Sequence, residues 1–186
     1  MKLLTALATV AAATLAAAAP GVAPRQEFTI IRPTQTYRRW IQTGEILENP
    51  QNQLLVVKNG NSADETSTFV TFDFDASTEG KVCTLVFSLW ERDVSTGSHT
   101  LDLFTYSDPP QSLAVLSAEL ESRDKHVGRI IAPTAAIAEW VQAYEGYPSI
   151  PCPAGQTLGI EFVGVGDAVQ VQWGIGSTGP SFTIVE

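Results

Sequence analysis

Apolar and polar residues alternate with a period of two along much of the chain after residue 50. Residues 70–75 place apolar and polar side chains on opposite faces, which predicts a half-buried strand with its polar face toward solvent. Residues 81–90 predict a second strand, and the turn residues 77–80 predict that the two strands pair as an antiparallel hairpin. The apolar residues that share one face of the second strand are Cys83, Leu85, Phe87 and Leu89.

Short strands separated by glycine and proline turns recur toward both ends of the chain, which predicts an all-β fold. Residues 111–125 fit either a helical turn or an irregular strand. Residues 135–144 contain good helix formers and the pair Trp140 and Tyr144 at i, i+4, so a short helix is expected there. The fold class is therefore an antiparallel β-sandwich, with one short helix allowed. The remaining predicted strands are 28–31, 54–58, 100–106, 157–163, 168–173 and 181–185.

The amino terminus resembles a secretory signal peptide, because the positive start Met1-Lys2 precedes an uncharged, alanine-rich stretch that ends in small residues. A transmembrane helix is the alternative, but the stretch is short and only weakly apolar. We expect a signal peptide over residues 1–18, a short flexible lead-in over 19–27 and one domain over 28–186. The mature protein is then secreted or extracellular, with no membrane span.

The charge, the apolar content and the histidine positions of the chain exclude several classes of function. The 186 residues carry 11 Lys plus Arg against 20 Asp plus Glu, a formal charge of −9, and this acidity excludes a nucleic-acid partner because it repels phosphate. An apolar content of 44% argues against disorder. His99 and His126 are far apart and fit no metal-binding spacing, so no metal and no cofactor are expected.

Cys83 and Cys152 are the only cysteines in the chain. In an exported protein they are able to form a disulfide, and the alternative is two unpaired buried thiols. A bridge across this separation would contribute about 4.4 kcal/mol by chain entropy, a large share of a typical stability of about 5–15 kcal/mol.

Two segments together resemble a known family. The first runs from Phe72 to Phe87 and contains Gly-Lys-Val-Cys-Thr-Leu-Val-Phe, and the second is Pro-Cys-Pro-Ala-Gly-Gln-Thr-Leu over residues 151–158. In this order they resemble the fungal But-two C-terminal domain family of ubiquitin-three-binding proteins, over about residues 28–186. The resemblance implies a small secreted or wall-associated fungal β-sandwich in which the two motif cysteines are bridged. It implies no catalytic residues.

Candidate chemistry falls into two classes. Asp73, Asp75, Glu91 and Glu161 are acids that a glycan hydrolase could use, although exterior strand positions are where solvated acids are common. Exposed aromatic rings could instead bind sugars. The candidates are Trp40, Trp90, Trp140, Tyr144 and Tyr147, and the group Trp140, Tyr144 and Tyr147 is favoured because these three lie within eight residues. Trp173 is in phase with Val169 and Val171 and is expected in the core.

The first interpretation is a secreted, non-catalytic protein of the cell surface or wall, with no catalytic residue. Its partner is a cell-wall polysaccharide or an extracellular protein. An acid glycan hydrolase and a secreted interaction protein are the alternatives.

Overall fold

The computed structural model describes residues 28–48, 53–106 and 123–185, which form fourteen strands and one 3-10 turn. The all-β antiparallel prediction is confirmed. The predicted signal peptide and lead-in, and most of the ambiguous stretch 111–125, lie outside the described residues. The described ranges contain no helix that is long and apolar enough to cross a membrane. The strands are β1 (Phe28–Ile31), β2 (Gln35–Trp40), β3 (Ile46–Glu48), β4 (Gln53–Lys58), β5 (Thr66–Asp73), β6 (Val82–Ser88), β7 (Val94–Gly97), β8 (Thr100–Tyr106), β9 (Lys125–Ile131), β10 (Glu139–Ala143), β11 (Ser149–Pro151), β12 (Thr157–Gly164), β13 (Val169–Gly174) and β14 (Gly179–Val185).

The smaller sheet has four strands in the order β1-β14-β6-β11. Its centre is β6, in which buried and accessible residues alternate along the whole strand. This alternation gives the sheet one face toward the core and one toward solvent, as an antiparallel sheet with a single covered face requires.

The larger sheet has ten strands and is curled, with its concave face toward the core. Its main path is β10-β9-β8-β12-β5-β4-β13-β7, and β2 pairs with β5 while β3 pairs with β2. Strand β12 lies near the middle, with β8 on one side and β5 on the other.

The main core lies between the two sheets and is rich in aromatic residues. The Phe87 and Trp173 rings meet edge to face with centroids 5.1 Å apart, which confirms that Trp173 belongs to the core. Gly179 has a φ of +83°, and a Cβ there would come within 2.2 Å of the Trp173 ring. Only glycine suits this position, because the backbone is left-handed and the indole fills the space a side chain would need.

A second, smaller cluster of Tyr37, Phe69 and Tyr106 lies on the other face of the larger sheet. Strand β5 is therefore buried on both faces, and only its last residue, Asp73, is exposed. The prediction of a half-buried strand over residues 70–75 is confirmed for Asp73 and Asp75, which are exposed and alternate with buried apolar residues, but it was wrong for Thr71, which is buried.

The predicted hairpin between residues 70–75 and 81–90 was also wrong. Strand β5 pairs with β12 and β2, whereas β6 pairs with β14 and β11 in the other sheet. The 3-10 turn Ala76–Thr78, capped by Asp75, carries the chain from one sheet to the other. The chain does turn here, as the sequence predicted, but the turn connects the two sheets and not two paired strands.

Cys83 and Cys152 form a disulfide, with their Cα atoms 5.0 Å apart. The predicted bridge is confirmed, and the alternative of two free thiols is excluded. It joins β6 to the residue that directly follows β11, where the chain leaves the smaller sheet for the larger one. Cys83 is fully buried, and Cys152 is nearly so.

The helix expected over residues 135–144 does not form. Glu139–Ala143 is instead the edge strand β10, paired with β9 through an irregularity between Trp140 and Gln142. Gly128 of β9 explains the outcome, because a Cβ there would come within 2.7 Å of the Trp140 ring. The ring packs over the bare backbone of β9, and this contact outweighs the helix preference of the segment.

Candidate binding site

The aromatic group favoured by the sequence is divided in the structure. The Trp140 and Tyr147 rings stack with centroids 6.1 Å apart, Trp140 packs against the main core, and Tyr147 is only 8% exposed. Burial raises the pKa of the Tyr147 hydroxyl above its usual range. Tyr144 is 45% exposed, so it alone of the three offers an open ring to a ligand.

Tyr144 belongs to a row of stacked groups on the outer face of the larger sheet. Its ring is 5.4 Å from that of His126, which stacks on Phe104 at 4.9 Å. The Arg123 guanidinium lies 4.8 Å from the Phe104 ring. The Phe104 and His126 rings stack, whereas the Tyr144 ring is tilted by 55° to His126 and remains the exposed end of the row.

His126 and Arg129 share one carboxylate partner in this row, Asp102. The guanidinium donates two hydrogen bonds of 2.7 and 2.9 Å to Asp102, and His126 Nε2 lies 3.2 Å from it. Desolvation alone would raise the pKa of Asp102, but hydrogen bonding and charge from Arg129, helped by His126, lower it overall. The group is thus an internally paired ion network.

Glu161 is only 1% exposed, contrary to the expectation of a solvated exterior acid. Arg123 donates two hydrogen bonds to it, at 2.6 and 3.1 Å, and the Tyr106 hydroxyl donates a third at 3.0 Å. Burial, with the Glu161 charge as a second cause, raises the pKa of Tyr106 well above its usual range. The carboxylate is held by three donors and has a structural role in the second cluster.

Two other candidate acids have structural partners as well. Asp73 accepts a hydrogen bond of 2.6 Å from the Thr157 hydroxyl. Asp75 accepts one of 2.8 Å from the backbone N–H of Ser77, and this bond lowers the pKa of Asp75. Asp75 therefore caps the 3-10 turn.

The histidines do not come together. His99 Nδ1 lies 2.9 Å from the Ser95 hydroxyl, whereas His126 belongs to the stacked row. Across the described ranges, no cluster of three or more His, Cys, Asp or Glu side chains could hold a metal ion.

Trp90 is the most exposed tryptophan among the described residues, with 52% of its surface accessible. It follows β6 in the outward phase, directly after the buried Leu89. The Trp90 backbone N–H donates to the Asp93 carboxylate at 2.7 Å, and the N–H of Asp93 donates back to the Trp90 carbonyl at 3.0 Å. These two bonds close a turn that fixes the position of the indole.

Arg92 covers one face of the Trp90 indole, with its guanidinium carbon 4.7 Å from the ring centroid. The same guanidinium lies 3.4 Å from the Ser177 hydroxyl, to which it donates. Cation–π contact and hydrogen bond together hold Arg92 in a defined orientation.

An open depression of about 470 Å³ lies beside Trp90. Ala135 on its wall has a φ of +59°, a left-handed conformation that costs a residue with a Cβ about 1–3 kcal/mol. Such strain persists only where the surroundings fix the backbone. The depression is lined by Leu89, Trp90, Glu91, Arg92 and Ala135.

The chain was compared with known proteins. The family model of the Ubiquitin 3 binding protein But2 C-terminal domain matches residues 47–174, more than two thirds of the chain. The chain belongs to this But2 family. No curated protein matches it. The match includes both cysteines of the disulfide and every residue of the Trp90 depression, so both lie within the But2 domain itself.

The exposure of the Trp90 side chain in this But2 domain could have been predicted from the sequence. Cys83, Leu85, Phe87 and Leu89 share the inward face of β6, so Trp90 had to point outward. The turn that holds it and the strained Ala135, which is 45 residues away in the chain, carry no sequence signal of comparable clarity.

Proposed function

We propose that this protein is a secreted, non-catalytic binding domain that attaches to an uncharged cell-wall polysaccharide, with Trp90 as its main contact. The observation that carries the proposal is the exposed Trp90 ring, held by its turn and by Arg92 beside an open depression. The predicted signal peptide supports an extracellular role, and the disulfide is consistent with an oxidising compartment.

Sugar binding combines a flat apolar ring with a few polar groups of fixed orientation. Arg92 occupies one face of Trp90, so the other face is the stacking surface for a pyranose ring. Glu91 and Arg92 then supply an acceptor and donors for the sugar hydroxyls. The volume of about 470 Å³ is within the range of small-ligand sites, about 300–1,000 Å³.

A non-catalytic role is supported by three of the four candidate acids, Asp73, Asp75 and Glu161, which already have structural partners. Glycoside hydrolysis needs two carboxyl groups free to exchange protons or attack carbon. Glu161 is held by Arg123 and Tyr106, and Asp75 caps a turn. Reducing-sugar release from wall polysaccharides by the purified protein, lost in Glu161→Gln or Asp75→Asn, would contradict this part of the proposal.

The binding test is depletion of the purified mature protein from solution by insoluble glucan, chitin and cellulose. Trp90→Ala removes the stacking ring, and a loss of about 2 kcal/mol or more, a drop in affinity of about 30-fold, is expected for a central aromatic contact. Tyr144→Ala is the matched control, since Tyr144 is a similarly exposed aromatic residue on the other sheet. It should bind like the wild type.

Three results would overturn the proposal. No depletion by any polymer would remove the polysaccharide as partner. Loss of binding in Tyr144→Ala with full binding in Trp90→Ala would move the site to the stacked row. Binding of both variants at the wild-type level would show that neither ring contacts the polymer. Thermal melting of each variant checks that the fold is intact.

A further inference from the structure

A cleft lies where the edge of the smaller sheet meets the larger sheet, at the end of β6 opposite to Trp90. Strand β11 forms that edge and pairs with the start of β6, since Pro151 lies opposite Val82, whereas Trp90 follows the end of β6. The smaller sheet has four strands against ten and ends at β11, which leaves a gap beside the ends of β8, β9 and β12. The gap has a volume of about 330 Å³, and we call it the edge cleft.

Apolar side chains from both sheets form the walls of the edge cleft. They are Val127, Ile150, Pro151, Pro153 and Leu158. The two prolines flank Cys152, which the disulfide joins to Cys83 in β6. This wall is therefore held in place before a ligand arrives, as is usual for small-molecule sites, and the volume is at the low end of their range of about 300–1,000 Å³.

Two hydroxyl groups in the edge cleft have no hydrogen-bond partner within the part of the chain that the structure describes. They belong to Tyr147 and Thr105, which both line the cleft and are each only 8% exposed. Polar groups of such buried residues are normally paired. Neither oxygen is fully enclosed, so each keeps an opening to solvent, which the cleft provides. The two hydroxyls are thus available to a molecule that enters the cleft.

The hydroxyls and the charges at the rim indicate the chemistry of that molecule. Burial raises the pKa of Tyr147, so its hydroxyl is protonated at neutral pH and has a hydrogen to donate. At the rim, Lys125 and Glu145 pair with each other at 3.0 Å, which leaves the Asp124 carboxylate to disfavour an anion. We propose that the edge cleft binds a small uncharged molecule with an apolar body and a carbonyl oxygen, which accepts a hydrogen bond from Tyr147. The cleft shares no lining residue with the Trp90 depression, so this site does not depend on the proposed sugar site.

Prodan, an uncharged naphthalene that carries a ketone, is a suitable probe because its emission shifts to shorter wavelength when the dye leaves water. The purified mature protein is titrated into prodan from about 1 µM to 1 mM, the range of weak to moderate affinities. We expect a saturating shift. Dimethylaminonaphthalene has the same apolar body without the ketone and should bind about fivefold more weakly, because one hydrogen bond is lost.

Two substitutions in the edge cleft test its role, each with a matched control. Tyr147→Phe removes only the hydroxyl and should weaken prodan about fivefold while the ketone-free dye binds as before, whereas Tyr144→Phe, outside the cleft, should change neither. Gln156→Trp places an indole at an exposed position of the cleft and should weaken both dyes at least about tenfold. Gln170→Trp makes the same change at an exposed position of β13 and should bind both dyes like the wild type.

Each outcome decides the question. A prodan shift that is weakened in Tyr147→Phe and Gln156→Trp and kept in both controls supports the proposal. No shift at any protein concentration overturns it. A shift that persists unchanged in both cleft variants also overturns it, since the dye would then bind elsewhere, and equal binding of the two dyes by the wild type would leave the Tyr147 hydroxyl without a role. Thermal melting checks that each variant is folded.

Discussion

The Cys83–Cys152 bridge offers a quantitative test of how this fold is stabilised. Replacing both residues by alanine removes a cross-link between positions 69 residues apart. In the chain-entropy treatment, a closed loop of this size contributes about 4.4 kcal/mol at 25 °C. The loop contains β7, β8, β9, β10 and β11, and without the bridge its two ends are held together only by non-covalent contacts.

The expected result is a large loss of stability with the fold retained. A loss of about 4.4 kcal/mol is comparable with the whole stability of a marginal domain, and for a chain of this length it lowers the melting temperature by about 9–18 °C. Denaturant unfolding followed by tryptophan fluorescence measures it, since the buried Trp173 reports on the core.

Reduction provides the control for this experiment. Dithiothreitol should destabilise the wild type by a similar amount and should leave the Cys83→Ala/Cys152→Ala variant unchanged. A difference of less than about 1 kcal/mol between oxidised wild type and the variant would refute the entropic argument and show that the unfolded chain is already restricted.

Three further predictions concern other parts of the fold. Arg123→Ala leaves the buried Glu161 without its cation but with the Tyr106 hydroxyl, and should cost about 1–3 kcal/mol, measured by urea unfolding at neutral pH; an unchanged midpoint would contradict a stabilising ion pair. Gly179→Ala forces a Cβ into the Trp173 ring at a left-handed φ and should abolish the cooperative melt or lower its midpoint sharply, whereas an unaltered melt would show that the indole moves aside. The pKa of Asp102 is lower in the folded state, so the stability that this carboxylate contributes is present above its unfolded pKa of about 3.9 and is lost as the pH falls through its folded pKa. Asp102→Asn should therefore reduce the fall in the free energy of unfolding at acidic pH. An acid dependence identical to that of the wild type would contradict this assignment.

Period-two patterning was enough to predict most of the strands and the architecture. The strand 100–106 is found with the predicted bounds, and Leu85, Phe87 and Trp173 lie in the core as their phase required. The disulfide followed from two cysteines in a chain with a predicted export signal. These features depend on local alternation or on residue type, which a sequence displays directly.

Features that depend on distant partners could not be predicted in this way. The segment 135–144 has helix formers, but Gly128 of β9 provides the space in which Trp140 packs as part of a strand. Glu161 had the phase of a solvated residue, and it is buried because Arg123 and Tyr106 meet it from other parts of the chain. The turn at 76–78 changes sheets, and no local signal distinguishes that from a hairpin.

The position of β14 affects the order in which the molecule can be completed during synthesis. This last strand lies between β1 and β6, and in the described residues β1 has no other strand partner. Cys152 leaves the ribosome before β14 does, so the covalent link to Cys83 is able to form while the smaller sheet still lacks its inner strand. Strand β1 must then wait until the residues of β14 have emerged before it finds its neighbour.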